Sequence, residues 1–438
     1  MIVRGVSTER SSGQLAEAAS LRRLPVWLTI VDAAHRRHSV VACDPVEVFR
    51  GTNVDELAEA WRRQREVWKA PEDPGVPIGM GFLSYDLGRR LEMRRSQVLP
   101  ESPWADIEFR FHDAVLVHDC DSGRCRIYAQ DESAATRLDQ ALLPPGKRES
   151  GEPAAWPAGP LRELEPPERH LAAVSRALAY VEAGDIYQVN LARRLGCHFP
   201  SPAGAAPGLA LFAKLESTVP ASHAIWLANG ETGEALVGNS PERFLRLGID
   251  GRIETWPIKG TRPRPSDGSD RMAKELLGSA KDRAEHVMIV DLERNDLGRV
   301  CQTGSVKVEV LGRMLTLPTV HHLVSIVSGQ LRPDVGLSDL LRATFPGGSV
   351  TGAPKIRAME IIEELEPARR GPYTGATGWL GAAGDLDLGL AIRTALVRAD
   401  QLTLWVGGGI VADSVPEQEL AETWDKARAF QSLLGALA

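Results

Sequence analysis

The chain has 438 residues, 43% hydrophobic and 25% charged, the balance of a globular protein long enough for one large domain or two ordinary ones. A net charge of −7 offers no basic field for nucleic acid or an anionic membrane. An anionic substrate would therefore need a local device, a metal ion or an arginine pocket, to hold it. The N-terminus lacks a signal-like apolar stretch, no apolar run approaches the roughly 20 residues of a membrane helix, and the five cysteines are scattered. The expectation is a cytoplasmic protein with reduced thiols and no membrane span.

In chain order, "PVWLTIVD", "HSVVACDPVEVFRG" and "GMGFLSYDLGRRLE" open with strand-like apolar runs. "HDAVLVHDCDSGRCRIYAQD" reads as strand, DSG turn, strand; Cys120 and Cys125 beside His112 and His118 match no zinc spacing and are expected to be free thiols. Proline, glycine and charge crowd residues 142–170, predicting a linker over 149–168 between regions 1–148 and 169–438. "HLAAVSRALAYVEAGDIYQVNLARRL" predicts an amphipathic helix that stops near Gly184 and continues as a strand. Strand-like runs then follow in number ("SHAIWLAN", "EALVGNS", "ERFLRL", "RIETWPI", "SVKVEVLGRM", "HLVSIVSGQL", "ATGWLGA", "QLTLWVGG"). Helices are inserted irregularly, among them one run at "RMAKELLGSAKDRAEHVMIVDLERNDLGRV" and others at "PKIRAMEIIEEL" and "PEQELAETWDKARAFQSLLG". This order predicts an α+β fold with large sheets rather than a regular βαβ wheel.

Several constellations can carry chemistry. Asp282 and Glu285, and Glu419 and Glu422, are spaced i, i+3, each pair on one helix face. Two such helices facing each other would suit Mg²⁺; either pair alone reads as a solvated acidic face. In "FPGGSVTGAPKIRAMEII" a glycine-rich loop runs into a helix with Pro354 expected at its first position, an anion cradle or a plain loop. Ala353 stands where a Walker loop has lysine. "LWVGGGIVADS" formally satisfies G-x-G-x-x-A through Gly407, Gly409 and Ala412, but Pro416 delays the helix, so its glycines read as close backbone approach to another ligand. Arg393, in the apolar "LGLAIRTAL", needs a bidentate carboxylate, internal or from substrate. Tyr373 and the His321–His322 pair signal less. Lys259, between a proline and a glycine in the turn-like "TWPIKGTRPR", is by itself a solvated lysine or a nucleophile.

Taken together, "GDIYQVNLARR", "GNSPERFL", "PIKGTRPR", "AEHVMIVDLERNDLGRV", "HHLVS", "FPGGSVTGAPK", "GPYTGATGW" and "AETWDKAR" resemble, in order from about residue 165 to the C-terminus, the chorismate-utilising enzymes; "GFLSYDLGRRLE" extends the likeness into the first half. The family includes large subunits of anthranilate and aminodeoxychorismate synthases, and isochorismate and salicylate synthases. The resemblance implies two large, mostly antiparallel sheets packed together, flanked by helices, with both regions in one compact unit.

It also implies a Mg²⁺ site at Glu285 and Glu422 supported by Glu419 and Asp282. The ring carboxylate of chorismate would lie against the metal and Ser349, Thr351 and Gly352. Arg393, Tyr373 and the backbone of Gly407, Gly408 and Gly409 would hold the enolpyruvyl carboxylate, with Thr261 and Lys426 completing the pocket. Glu242 matches the general acid at the departing hydroxyl, and His322 a histidine near the ring. Gln188 stands where water-using members carry a lysine base, which implies ammonia as nucleophile. "PIKGT" in place of "PIAGT" is the form of members that put nitrogen at C4 of chorismate, toward p-aminobenzoate and folate. There Lys259 would form a covalent adduct and would need a lowered pKa. No cysteine here sits in a glutaminase-like elbow, so ammonia would come from solution or from a separate glutamine amidotransferase subunit, and the resemblance implies the latter. The alternatives are an anthranilate-forming large subunit and a non-catalytic chorismate-binding protein.

Overall fold

A computed structural model describes residues 1–6, 11–32, 36–69, 74–92, 102–143, 158–198, 206, 208–264, 271–316 and 320–435. Among these residues two antiparallel sheets form, of twelve and ten strands. Both draw strands from both sides of the predicted linker. The larger sheet runs Ile2–Val6, Cys125–Ala129, Ala114–Asp119, Arg37–Ala42, Val26–Val31, then His223–Asn229, Glu234–Ser240, Thr394–Arg398, Gln401–Ile410, Gln188–His198 and Gly352–Ala353. The smaller runs from Ile258–Pro263 through Val320–Gln330, Arg252–Trp256, Arg243–Leu247, Leu386–Leu390 and Ala376–Gly381 to Pro77–Leu83, Ile107–Phe111 and Glu47–Gly51.

The strand His223–Asn229 shows why so many runs are apolar without alternation. Ile225 and Leu227 face the smaller sheet in a core shared with Ile78, Phe109 and Leu388. Ala224, Trp226 and Ala228 face the other way, against Phe212 and Leu215 of one helix and Phe430 of another. A sheet covered on both faces needs apolar residues at both parities, even when it is antiparallel. The helix–strand boundary predicted near Gly184 is present, with Pro167–Glu182 helical, Gly184 at φ 80 and Gln188–His198 a strand. The hairpin Ala114–Asp119 and Cys125–Ala129 is also present, its cysteines free.

Four local readings change. Residues 149–157 of the predicted linker lie outside the described residues, while Ala158–Glu163 is a strand paired with Gln188–His198. The single helical run splits into Arg271–Gly278 and Ala280–Gly298, because the Ser279 hydroxyl accepts the Asp282 N–H and caps a new helix. Pro354 is the cap of the helix Lys355–Leu365 rather than its first residue, at φ −64, ψ 140 with its carbonyl taking the Ala358 N–H. Finally, Lys259 lies in a bulged strand, not a turn. Lys259 pairs with Leu323 and Thr261 with His322, and the extra residue, Gly260, takes φ 69. A Cβ there would meet Leu276 Cδ1 at 2.6 Å, so the bulge requires glycine.

Candidate active site

The bulge aims Lys259 inward. Its ammonium is surrounded by charge of both signs. Burial and the Lys426 ammonium push its pKa down, against the upward pull of Glu285, Glu242 and Glu422. The depressed value expected of a nucleophilic lysine is thus built by the fold. Glu242, 6% exposed, sits where the strand Glu234–Ser240 gives way to Arg243–Leu247. Its Oε1 accepts the Ser349 hydroxyl at 3.0 Å and the Ile258 N–H at 3.4 Å. Burial raises its pKa to about 7, even though Lys259, those two donors and Arg393 favour the anion. A carboxyl in that range can give up a proton near neutrality.

Arg393 follows at φ 49. Burial depresses its pKa while Glu242 pulls it back up, and among the described residues no carboxylate lies within 4 Å of it. Of the two partners expected for Arg393, an internal bidentate carboxylate is therefore not present among the described residues. His322 is buried and held neutral, its pKa lowered to about 4 by burial and by Arg393. Tyr373 is buried and stacked on Trp405, ring centroids 5.8 Å apart and planes 10° apart.

Glycines form the floor. Gly407, Gly408 and Gly409 lie in the strand Gln401–Ile410. A Cβ on Gly408 would come within 3.1 Å of Glu419 Oε2, 3.4 Å of Lys426 Nζ and 3.7 Å of Glu422 Oε1; one on Gly409 would come within 2.9 Å of Gln188 Nε2 and 3.5 Å of Lys259 Nζ. These contacts bring Gln188, Lys259, Lys426 and two glutamates of the last helix, Glu419 and Glu422, against one stretch of backbone. Gln188 is fully buried, and among the described residues neither its Oε1 nor its Nε2 has a hydrogen-bond partner. A buried amide with both atoms unmatched beside a lysine is what a polar ligand would satisfy. The loop Gly347–Gly352 is buried and ordered by its own bonds: the Thr351 hydroxyl is taken by the carbonyls of Gly347 and Gly348. The Thr261 side chain lies outside the described residues.

The acidic residues separate into roles. Asp282 is held by Arg262 Nη2 at 2.9 Å, Glu419 Oε1 takes the Ser414 hydroxyl at 2.6 Å, and Glu422 Oε1 lies 2.7 Å from Lys426 Nζ. Among the described residues no group of three His, Cys, Asp or Glu converges as a ligand cluster. The donor chemistry nevertheless fits Mg²⁺. Glu285 and Glu422 come from the helices Ala280–Gly298 and Pro416–Gly435 and both act on the Lys259 amine, and hard carboxylate oxygens are the ligands this ion takes.

Some residues that shape the site carry no sequence signal. Arg370, fully buried, bonds Glu366 and the carbonyls of Asn190 and Val350, tying the strand Gln188–His198 to the loop. Neighbouring Arg369 looks the same in sequence. Lys355 Nζ and Asp296 form a buried pair at 2.7 Å. Glu293, hydrogen-bonded by Thr255, is raised by burial to about 8 and is a neutral acid behind the site.

A family model described as chorismate binding enzyme matches residues 27–432. The chain is 40% identical over 437 residues to aminodeoxychorismate synthase component 1 of Salmonella typhimurium, covering 93% of each. It is 43% identical over 365 residues to anthranilate synthase component 1 of Thermus thermophilus, covering 80% of this chain and 76% of that one. The crystal structure of anthranilate synthase component I from Streptococcus pneumoniae superposes with TM-score 0.75 at 29% identity, over 92% of this chain and 94% of the other. The menaquinone-specific isochorismate synthase of Escherichia coli gives 0.77 over 99% and 94%, at 18% identity. That last likeness is one of fold.

Proposed function

We propose that this chain, which belongs to the chorismate binding enzyme family and is a chorismate-utilising enzyme, aminates chorismate at C4 as component I of an aminodeoxychorismate synthase. The observation that carries the reading is Lys259, a lysine with a depressed pKa set beside a buried acid of pKa about 7. Neutral, its Nζ attacks C2 of chorismate; both ring double bonds shift, C1=C2 to C1=C6 and C5=C6 to C4=C5, and the C4 hydroxyl leaves as water, taking the proton of Glu242. Ammonia then bonds to C4, both double bonds shift back, and the Lys259 amine departs from C2, so each displacement balances the other and C4 keeps its configuration. Arg393 and the glycine backbone hold the enolpyruvyl carboxylate, Ser349 keeps Glu242 aimed, and neutral His322 borders the ring. Lys426 supports the lowered pKa of Lys259. Glu285 and Glu422 are the residues that would hold magnesium, which when bound supplies positive charge to the ring carboxylate. Gln188, a side chain that cannot serve as a base, favours ammonia over activated water as nucleophile.

The ammonia is supplied, in this reading, by a separate glutamine amidotransferase subunit, and the product leads to p-aminobenzoate and folate. Among the described residues no helix is long and apolar enough to cross a membrane. A second reading, an anthranilate synthase large subunit, is favoured by the high identity to a relative of that name. Incubation with chorismate, Mg²⁺ and ammonium, followed by chromatography with mass detection, separates the two. Accumulation of 4-amino-4-deoxychorismate is expected; anthranilate with pyruvate as the main products would replace this reading with the second.

A further inference from the structure

We propose that Ser222, His223, Asp387 and Arg243 form a clasp across the two sheets that holds Glu242 in its working position, a positioning role that rests on the functional reading above. The connection is continuous. The Ser222 hydroxyl donates to the Pro241 carbonyl at 3.1 Å and lies 3.0 Å from His223 Nδ1. His223 Nε2 is 3.1 Å from Asp387 Oδ1. Arg243 grips Asp387 with both arms, Nε to Oδ1 at 3.0 Å and Nη2 to Oδ2 at 2.9 Å. The chain therefore begins and ends on the two residues that flank Glu242. Ser222 and His223 belong to the larger sheet's side of the seam, and Arg243 and Asp387 to the smaller.

The seam is shaped for this contact. Gly389 lets the His223 ring through, since a Cβ there would lie 2.5 Å from His223 Cβ and 2.6 Å from Cγ. Arg243 lies over the Trp256 ring at 4.4 Å. His223, Asp387 and Arg243 are each less than a tenth exposed. Burial would raise the Asp387 pKa, but Arg243 and His223 hold it well below the usual carboxylate range, so the link stays ionic throughout the neutral range. Among the described residues none of the four side chains bonds to the Glu242 carboxyl. What they fix is its backbone, whose carbonyl also takes the Leu390 N–H at 3.0 Å. The carboxyl then meets Ser349 and Ile258 N–H, with Lys259, Arg393 and Glu293 as the charged or titratable groups around it. Residues as far apart in sequence as Ser222 and Asp387 thus serve one carboxyl, a use that burial of apolar surface does not require.

His223→Gln and the milder Ser222→Ala test this, with Ser222→Thr as the variant that restores the hydroxyl. Chorismate turnover is measured from pH 5.5 to 9 with Mg²⁺ and ammonium, normalised to folded protein. His223→Gln is expected to lower kcat about tenfold with KM for chorismate within about twofold. It is also expected to move the alkaline limb of kcat upward, because the two donors that favour the Glu242 anion lose register. Ser222→Ala should give the same pattern in smaller measure, and Ser222→Thr should return it. Wild-type kcat and an unmoved limb in both variants would overturn the clasp, and so would a loss confined to KM or to the folded fraction. Failure of the unmodified protein to consume chorismate would instead overturn the functional reading itself.

Discussion

Replacing Glu242 with glutamine isolates the one group whose proton the proposed reaction consumes. The side chain is 6% exposed, and its pKa stands at about 7 against an ordinary 4.5. Ionising it in the folded protein therefore costs about 3 kcal/mol more than in water. At pH 6 nearly all molecules carry the acid, while at pH 8 only about a tenth do. Initial rates of chorismate loss should accordingly fall about tenfold per pH unit above neutrality once the Lys259 amine, whose pKa is lowered, is neutral. Glutamine keeps an oxygen to accept from Ser349 and Ile258 N–H, so the variant should fold. It has no proton to deliver, and kcat should drop by about 10² to 10⁴, roughly 3 to 5 kcal/mol of barrier. Stopped-flow or continuous ultraviolet assays across pH 5.5 to 9 read both effects. A variant that keeps more than half the wild-type kcat, or a wild-type profile flat between pH 6 and 9, would refute the assignment of Glu242 as acid.

Two further variants probe what surrounds it. The Glu293 carboxyl is raised to about 8 by burial. It is therefore neutral in the folded protein at pH 7 and anionic in the unfolded chain, so its neutral form costs nothing below about pH 4.5 and the protein loses stability as pH rises toward 8. Glu293→Gln should stabilise by about 3 to 4 kcal/mol more at pH 8 than at pH 5 in urea unfolding; a gain independent of pH would contradict this. Gly352→Ala places a Cβ 2.2 Å from the Gln188 carbonyl oxygen and 2.8 Å from Ala358 Cβ, at φ 151. About 2 to 4 kcal/mol of stability should be lost on denaturant titration, and a cost under about 0.5 kcal/mol would show that the loop yields freely.

Local signals carried much of this architecture. Gly184 marked the end of a helix, the DSG turn a hairpin, and long apolar runs the sheets, because each of these is decided within a few residues. Where a partner distant in sequence decides, the pattern was silent or misleading. Proline and glycine around Lys259 resemble turn punctuation, and only the pairing with Leu323 and His322 makes them a bulge. The i, i+3 acids do share helix faces, but Arg262 takes Asp282 and Lys426 lies on Glu422, pairings that spacing cannot reveal. Arg370 differs from Arg369 only through burial. The clasp escaped notice because its strongest bond joins residues whose separation is 144 positions. Family motifs brought Glu242, Lys259, Gln188 and Arg393 together in expectation, and the fold sets the first three of these around one backbone strand and loop.

The most direct test of the account is the intact mass of the protein after incubation with chorismate and Mg²⁺ without ammonia. The account predicts an added mass equal to chorismate less water, lost on addition of ammonium and absent from Lys259→Ala. An unmodified mass under turnover-competent conditions, or an adduct that persists in Lys259→Ala, would contradict it.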